Sequence, residues 1–169
     1  VRRQPFGADK VDITAAGASA LRAERRYLGK DKRPKVTQQV ADAAALGDRS
    51  ENADYIYGKK QLREIDKRVR YLEKRLDQIE VVDRVPKDTS RIYFGAWVWL
   101  QPDTGPELKL RIIGEDEIDL KRGWISLKSP VARSLMGKRE GDDVLLDRPA
   151  GPVNAEILKV NYEGFGDES

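Results

Sequence analysis

Apolar or small residues recur at alternating intervals of three and four along one long stretch of the chain. They are Tyr55, Gly58, Leu62, Ile65, Val69, Leu72, Leu76 and Ile79. Lys, Arg, Asp and Glu crowd the positions between them. An unbroken heptad pattern of this kind is typical of a coiled-coil helix, whose narrow apolar stripe must pack against a partner stripe. The pattern therefore predicts a long helix with a helical neighbour.

The preceding segment, residues 13–46, can supply that neighbour. Its pattern is helical but less regular, and Thr14 suits the N-cap position. Pro34 lacks an N–H and disfavours helical geometry at the residue before it. Either the helix kinks there, or a second helix begins with Pro34 in its first turn. Gly47 suits the position just after a helix end, so the short connection at 47–52 makes the two helices antiparallel neighbours.

The character of the sequence changes after residue 82. Residues 83–90 include Pro86 and polar side chains and are predicted to be a linker. Runs rich in Val, Ile, Trp and Tyr follow, divided by glycine and proline turns, and they predict short β-strands. The runs are residues 92–100, 108–113, 124–127, 144–146 and 153–160. One short helix is expected at 130–136, because Ser129 is a good N-cap and Pro130 a good first helical residue.

These elements predict an α+β protein: an N-terminal antiparallel α-helical hairpin, then a small β-sheet domain with one short helix. The hairpin is assigned to residues 13–82, with its tip at 47–52, and the second domain to residues 91–163. Residues 1–12 and 164–169 are expected to be tails, the first of them mobile because it is polar and aperiodic.

The composition of the 169 residues limits the possible chemistry, because the chain has neither Cys nor His. This excludes disulfides, thiolate nucleophiles, a Ser-His-Asp triad and His-ligated zinc. The net charge of +3 is too small to identify a partner unless the basic residues cluster. No apolar run approaches the length of a membrane span, and residues 1–13 lack an apolar stretch of signal-peptide length. We therefore expect a cytoplasmic protein without membrane contacts.

Two acidic residues, Asp48 and Glu51, lie three positions apart beside the predicted turn. One interpretation is a capping box, with Asp48 as N-cap and Glu51 as the third helical residue. The other is that both carboxylates point away from the arm and bind Mg²⁺, which is commonly held by one or two carboxylates together with substrate phosphates. The interpretations are compatible, but only the second requires carboxylates.

Basic residues cluster in the helix after the turn. They are Lys59, Lys60, Arg63, Lys67, Arg68, Arg70, Lys74 and Arg75. Five of the eight repeat at three- and four-residue spacing: Lys59, Lys60, Arg63, Lys67 and Arg70. The simplest interpretation is a solvated face with ion pairs inside the helix, since Glu64, Asp66, Glu73 and Asp77 lie in the same stretch. The alternative is one positive stripe that attracts a nucleic-acid backbone.

Aromatic residues add two further candidates. Tyr55 and Tyr57 could stack on bases, although Tyr55 belongs to the apolar seam and is expected to pack. Trp97, Trp99 and Trp124 occur in predicted strands. They are expected either in the domain core or at a partner interface.

Several ordered segments together resemble the Gre family of bacterial transcript-cleavage factors, and most closely its B type. The resemblance covers about residues 13–162. It is carried by Gly47–Tyr55, Lys59–Leu72, Arg111–Gly114, Ile125–Ser126, Ser129–Leu135 and Gly141–Asp142. The N-terminal tail is longer than the family core, and the residues after Tyr162 are extra and acidic.

The resemblance implies that the C-terminal domain is FKBP-like and docks at the rim of the RNA polymerase secondary channel, through Ser129, Pro130 and Val131. The coiled coil would pass down that channel as part of a monomeric factor. Asp48 and Glu51 would then help to hold the second, weakly bound Mg²⁺ of the polymerase. The substrate would be the 3′ part of the nascent RNA in a backtracked complex, so this chain alone would not be a nuclease. The implied RNA-binding residues are Lys59, Lys60, Arg63, Lys67, Arg68 and Arg70.

Three other functions remain possible from the sequence. A Gre-like inhibitor would occupy the same channel, but such a protein needs altered tip acids. A nucleic-acid-binding coiled coil unrelated to polymerase would use the basic stripe and leave the tip acids and the β domain without a role. A peptidyl-prolyl isomerase would be suggested by an FKBP-like fold alone, and a fold does not establish a function.

Overall fold

The computed structural model describes residues 10–166. Residues 1–9 and 167–169, which hold most of the two predicted tails, lie outside the described residues. The chain forms two compact units, of which one spans Ala18–Ile79. The other joins the chain before residue 18 to the chain after residue 79. The prediction of an α+β chain with a helical hairpin followed by a β-sheet domain is confirmed.

Three α-helices build the hairpin: α1 (Ala15–Tyr27), α2 (Arg33–Ala45) and α3 (Ala53–Gln78). Thr14 is the N-cap of α1, as predicted, because its Oγ1 accepts a hydrogen bond from the Gly17 N–H at 3.0 Å. Between α1 and α2 the chain stays helical through a π-helical turn, Leu28–Lys32. The Arg33 N–H donates to the Leu28 carbonyl, five residues back. Pro34 lies in the first turn of α2, and the wider π turn relieves the clash that its ring would make with the helix before it.

The predicted seam packs the hairpin. Ile65 and Leu72 of α3 are buried, as are Leu28 and Val36 on the opposing segment. Ion pairs join the two helical segments beside this seam. They are Arg25–Glu73 at 2.9 Å, Arg33–Asp66 at 2.8 Å and Arg68–Glu24 at 2.7 Å. Because all three pairs are well exposed, burial of the seam rather than charge pairing supplies most of the stability.

Gly58 provides a specific test of this packing. A Cβ at Gly58 would lie 2.5 Å from Cγ2 of Val40, whereas a Cβ at Gly29 would meet nothing within 4 Å. Gly58→Ala should lower the free energy of unfolding, because overpacking costs about 1–3 kcal/mol and helix propensity returns only about 1 kcal/mol. Gly29→Ala, the control, should leave stability unchanged or raise it. Urea unfolding measures both variants, and equal midpoints would contradict close packing at Gly58.

Five strands form the sheet of the second unit. They are β3 (Trp97–Pro102), β4 (Leu108–Ile113), β5 (Trp124–Ser126), β6 (Asp143–Leu146) and β7 (Val153–Asn161). Their order is β5-β4-β3-β7-β6, with β4 and β5 parallel and the other pairs antiparallel. Helix α4 (Pro130–Leu135) contributes Ala132 and Leu135 to the buried cluster, which includes Val98, Leu100 and Ile112 of the sheet.

Several predicted boundaries are wrong. The first predicted strand, 92–100, begins only at Trp97, because Gly95 adopts a left-handed φ of 85° in a turn. The predicted hairpin boundary at residue 82 is too late. Helix α3 ends at Gln78, and β2 (Ile79–Val81) pairs with β1 (Val11–Ile13). Residues 11 and 12 were predicted to lie in a tail, but the alternating Val11 and Ile13 are buried in this small sheet.

The described part of the predicted C-terminal tail is also in contact with the domain. The Phe165 ring lies 5.6 Å from the Trp99 ring, between centroids. Among residues 10–166, no helix is both long enough and apolar enough to cross a membrane.

Candidate functional site

The turn between α2 and α3 is held closed by one side chain, that of Asn52. Its Oδ1 accepts a hydrogen bond from the Tyr55 N–H at 3.1 Å and so caps α3. Its Nδ2 donates to the Ala43 carbonyl of α2 at 2.7 Å. Gly47, with φ of 133°, turns the chain out of α2. The capping-box interpretation of Asp48 and Glu51 is therefore wrong, because the N-cap of α3 is Asn52, four residues after Asp48.

Asp48 instead closes a local turn. Its Oδ1 accepts hydrogen bonds from the Ser50 N–H at 2.9 Å and the Ser50 hydroxyl at 2.8 Å. These bonds, first from the backbone and then from the hydroxyl, hold the pKa of the Asp48 carboxyl below its usual range. The side chain is exposed, so the turn presents a carboxylate that is ionised at neutral pH.

Glu51 is also exposed in this turn. Its carboxylate accepts no hydrogen bond and forms no ion pair with any residue between 10 and 166. Within that same range, no group of three or more acidic side chains could hold a metal ion. The turn therefore presents two carboxylates outward without forming a complete metal site.

Asn52→Ala should damage this arrangement without touching either carboxylate. It removes the cap of α3 and the bond to α2, and a lost cap typically costs about 0.5–2 kcal/mol. We expect faster amide hydrogen exchange at residues 47–55 and unchanged exchange in the sheet domain. Asn52→Asp is the matched control: it keeps the cap and loses only the donor to Ala43. Parent-like protection in the Ala variant would show that Asn52 does not hold the turn.

The basic residues of α3 fall on two faces. Lys59, Lys60, Arg63, Lys67 and Arg70 are exposed and share one side of the helix, as their spacing predicts. The first four form no ion pair within the described part of the chain. The pKa of the Asp66 carboxyl is lowered mainly by the hydrogen bond from Arg33, and Arg70 adds a smaller attraction. We refer to these five residues as the basic stripe.

Arg68 does not belong to the basic stripe. Its guanidinium binds Glu24 in a two-bond pair at 2.7 and 2.9 Å and lies 5.0 Å from the centroid of Tyr71. The pair lowers the pKa of the Glu24 carboxyl, first through the Arg68 hydrogen bond. Arg68 was predicted to bind RNA together with the stripe; in the structure its guanidinium forms an exposed ion pair with Glu24 across the hairpin.

The two tyrosines near the tip differ in their surroundings. Tyr55 is half-buried, with the Arg49 guanidinium 5.6 Å from its ring centroid. Tyr57 is exposed, and its hydroxyl accepts a hydrogen bond from Gln61 Nε2 at 3.4 Å. The expectation that Tyr55 packs agrees with this placement, and Tyr57 is left with an open ring.

The predicted polymerase-binding segment opens α4. The Ser129 hydroxyl accepts a hydrogen bond from the Ala132 N–H at 3.3 Å, as expected of an N-cap. Pro130 is exposed, but Val131 is partly buried and packs against the core of the domain. Only Pro130 is therefore well placed to contact a partner, and a charge at Val131 would disturb the fold as well.

The three tryptophans do not belong to the buried cluster of the sheet domain. They lie on the face of the sheet opposite to that cluster. The Arg111 guanidinium lies 4.9 Å from the centroid of Trp97 and 4.8 Å from that of Trp124. Lys109 lies 4.6 Å from the Trp99 centroid. Cation–π contacts and aromatic packing together cover these rings, since Trp97 lies edge to face with Trp124 at 6.1 Å between centroids and is buried.

The sequence reasoning missed two residues that organise their surroundings. Asn52 could have been identified, because Asn is among the best N-caps and the heptad pattern of the second helix begins three residues later, at Tyr55. Glu117 could not. Its carboxylate accepts hydrogen bonds from the Thr14 N–H at 3.2 Å and the Gly114 N–H at 3.0 Å, and from the Thr14 hydroxyl. Thr14 is 103 residues away in sequence, so no local pattern indicates the contact.

Comparison with known proteins identifies the family. The N-terminal domain profile of the GreA/GreB transcription elongation factors matches residues 11–81, and the GreA/GreB C-terminal profile matches residues 87–162. Transcription elongation factor GreB of Pasteurella multocida is 54% identical over 151 residues, which are 89% of this chain and 96% of that protein. GreB of Pseudomonas aeruginosa is 51% identical over 160 residues, 95% of each chain.

A more distant likeness exists among solved structures. GreA factor homolog 1 of Thermus thermophilus is 21% identical, with 90% of this chain and 99% of that chain covered and a TM-score of 0.41. Because both family profiles match and the relatives are about half identical over most of their length, the chain belongs to the GreA/GreB family of transcription elongation factors.

Proposed function

We propose that this chain binds RNA polymerase in its secondary channel as a cytoplasmic monomer and stimulates the polymerase to cleave backtracked nascent RNA. One observation carries the proposal: two exposed carboxylates lie at the free end of a helical arm. Helix α3 has 26 residues, so at about 1.5 Å per residue the arm is roughly 39 Å long. An arm of that length can bring Asp48 and Glu51 to a catalytic centre that lies deep inside a partner.

The donor set fits a shared magnesium site. Asp48 is held ionised and uses only one carboxylate oxygen for Ser50, which leaves the other open, and Glu51 has no partner within residues 10–166. Mg²⁺ keeps several waters and needs only one or two protein carboxylates. Asp48 and Glu51 would therefore hold the second Mg²⁺ of the polymerase centre. When bound, that ion would supply charge stabilisation for hydrolysis of a phosphodiester.

The remaining chemistry would belong to the polymerase. This chain has no His or Cys, and its described residues contain no self-sufficient metal cluster. Its own residues would position rather than react. Asn52 and Gly47 set the turn, Ser50 orients Asp48, and the packed seam holds the two helical segments together. We infer that the factor is not itself a nuclease.

The basic stripe gives the RNA a path along the arm. In a backtracked complex the 3′ segment leaves the catalytic centre through the channel that the arm would occupy. Exposed Lys and Arg side chains without acidic partners attract its phosphates. We place the segment against Lys60, Arg63 and Lys67, beginning two turns of helix beyond the tip.

The sheet domain would dock at the channel rim. Pro130 is exposed at the first position of α4, and the cap from Ser129 fixes its orientation. Val131 would contribute mainly by anchoring α4 to the core.

The absence of cysteine allows a direct test of where the tip goes. Ala45→Cys, exposed at the end of α2, can carry a tethered iron chelate that cleaves nearby chains. Ala150→Cys, exposed in the sheet domain, is the control. The probe at position 45 should cut the polymerase around its catalytic centre and the RNA near its 3′ end, and the probe at 150 should cut only outer surfaces. Cuts by the position 45 probe confined to the polymerase exterior would contradict channel entry.

A further inference from the structure

A recess lies on the hairpin close to the tip, on a side that the basic stripe does not occupy. It has a volume of about 350 Å³. The side chains that matter for its chemistry are Gln39, Asp42, Leu46, Asp54, Tyr57 and Gln61. On an ideal helix the mean direction of residues 54, 57 and 61 lies about 145° from that of the basic stripe, and Lys60 is the stripe residue nearest to Tyr57, about 60° away.

The recess exposes more apolar surface than a solvated arm requires. Leu46 is 82% exposed and Tyr57 62%. Two large apolar side chains left this exposed in one recess are a mark of an interaction surface.

The Tyr57 ring differs from the other two tyrosine rings of α3. Arg49 lies over Tyr55 at 5.6 Å, and Arg68 and Arg75 lie over Tyr71 at 5.0 and 5.5 Å. Within residues 10–166, no cation and no aromatic ring contacts Tyr57. An open aromatic face beside carboxylates is the environment that a guanidinium prefers.

The charges of the recess select the class of ligand. One carboxylate oxygen of Asp42 accepts a hydrogen bond from Gln38 Nε2 at 2.8 Å. Neither Asp42 nor Asp54 takes part in an ion pair within the described range. Two carboxylates repel a phosphodiester backbone and attract a cation. Nucleic acid is therefore favoured on the basic stripe and disfavoured in the recess.

We propose that the recess receives a basic side chain, an arginine, from the protein wall that surrounds the arm. Its guanidinium would stack on Tyr57 while donating hydrogen bonds to Asp42 or Asp54, with Leu46 against its aliphatic part. The arm would then have two binding surfaces: the basic stripe would bind RNA, and the acidic, aromatic recess would bind protein. This inference rests on the proposed function, because it takes the polymerase as the partner.

The test compares binding to polymerase with and without RNA. The variants are Tyr57→Ala, Tyr57→Phe, and Asp42→Asn with Asp54→Asn. The control changes Asp31→Asn and Asp77→Asn, which are exposed on the same hairpin and form no ion pair within residues 10–166. Affinity is measured by fluorescence anisotropy of the labelled full chain against polymerase lacking nucleic acid, and against backtracked complexes.

We expect the dissociation constant of Tyr57→Ala to rise roughly two- to thirtyfold, which is the range of one cation–π contact. The recess double variant should lose a similar factor. Tyr57→Phe keeps the ring and should bind like the parent, and so should the Asp31 and Asp77 control. The losses should be the same with and without RNA, because the ligand belongs to the protein.

Four results would overturn the inference. Parent-like binding by both the Tyr57→Ala and the recess double variant would show that the recess is empty in the complex. A loss confined to complexes with extruded RNA would identify a stacked nucleobase instead. An equal loss in the control would show a general charge effect. A parent chain that does not bind polymerase at all would remove the proposed function and this inference with it, whereas the first three leave the proposed function standing.

Discussion

Asp48→Asn together with Glu51→Gln should reduce stimulated RNA cleavage by at least roughly a hundredfold, since a metal ion contributes several kcal/mol to the transition state. Both substitutions keep the size of the side chain and an acceptor oxygen, and remove the charge that binds Mg²⁺. Asn can still accept the bonds from Ser50, so the turn should persist. Cleavage is measured on stalled complexes over a range of Mg²⁺ concentrations, and the remaining activity should need more Mg²⁺ than the parent.

The control for this experiment is Asp31→Asn, which removes one exposed carboxylate from the same hairpin. It should cleave like the parent. Polymerase binding by the tip variant should also be retained, because neither carboxylate is assigned to docking. Parent-like cleavage by the tip variant at ordinary Mg²⁺ would leave Asp48 with only its role in the turn.

Removing the basic stripe should have the second largest effect, and it should depend on the length of the extruded RNA. Changing Lys60, Arg63, Lys67 and Arg70 to Ala leaves the seam intact and introduces the best helix former. Complexes backtracked by two or three nucleotides should still be cleaved, since little RNA reaches the arm. Deeply backtracked complexes should be cleaved poorly, and RNA crosslinking to the arm should fall.

Salt dependence makes this test specific. Each lost phosphate contact should reduce the slope of log affinity against log salt by about 0.7. The matched control changes four other basic residues of the hairpin that form no ion pair within residues 10–166. They are Arg22, Arg26, Lys30 and Lys35. If both quadruple variants respond alike on long RNAs at low and high salt, the stripe is only a solvated face.

The sequence predicted the arm well because its information is local. The seam predicted from Tyr55 to Ile79 repeats with the period of the helix that it forms, so burial of Ile65 and Leu72 follows from spacing alone. Only its last member, Ile79, lies beyond the helix, as the first residue of β2. Gly47 likewise marks the end of α2, since its positive φ is unfavourable for other residues.

The interior of the turn was less predictable. Asp48 and Asn52 are both good N-caps, and only one of them can begin α3. Asn52 prevails because its amide also reaches the Ala43 carbonyl across the hairpin. That contact depends on how α2 and α3 pack, so single-sequence capping rules could not choose between the candidates.

The small sheet of β1 and β2 was missed for a related reason. Its strands have three residues each and pair segments more than 60 residues apart, as in the bond from the Val82 N–H to the Ile13 carbonyl.

The tryptophans show a different difficulty. In β3 both faces are apolar, with Trp97 and Trp99 alternating with Val98 and Leu100. Only the partner strands, which bring Lys109 and Arg111 to the tryptophan face, decide which side forms the core.

The length of the nascent RNA in a backtracked complex, before and after addition of the purified chain, tests the central claim most directly. We predict that the parent chain releases short 3′ fragments. The shortened RNA should then be extended when nucleotides are added, and a polymerase whose own catalytic carboxylates are replaced should give no fragments. RNA that keeps its full length, or that is only prevented from extending, would contradict a cleavage-stimulating factor and indicate an inhibitor that occupies the channel.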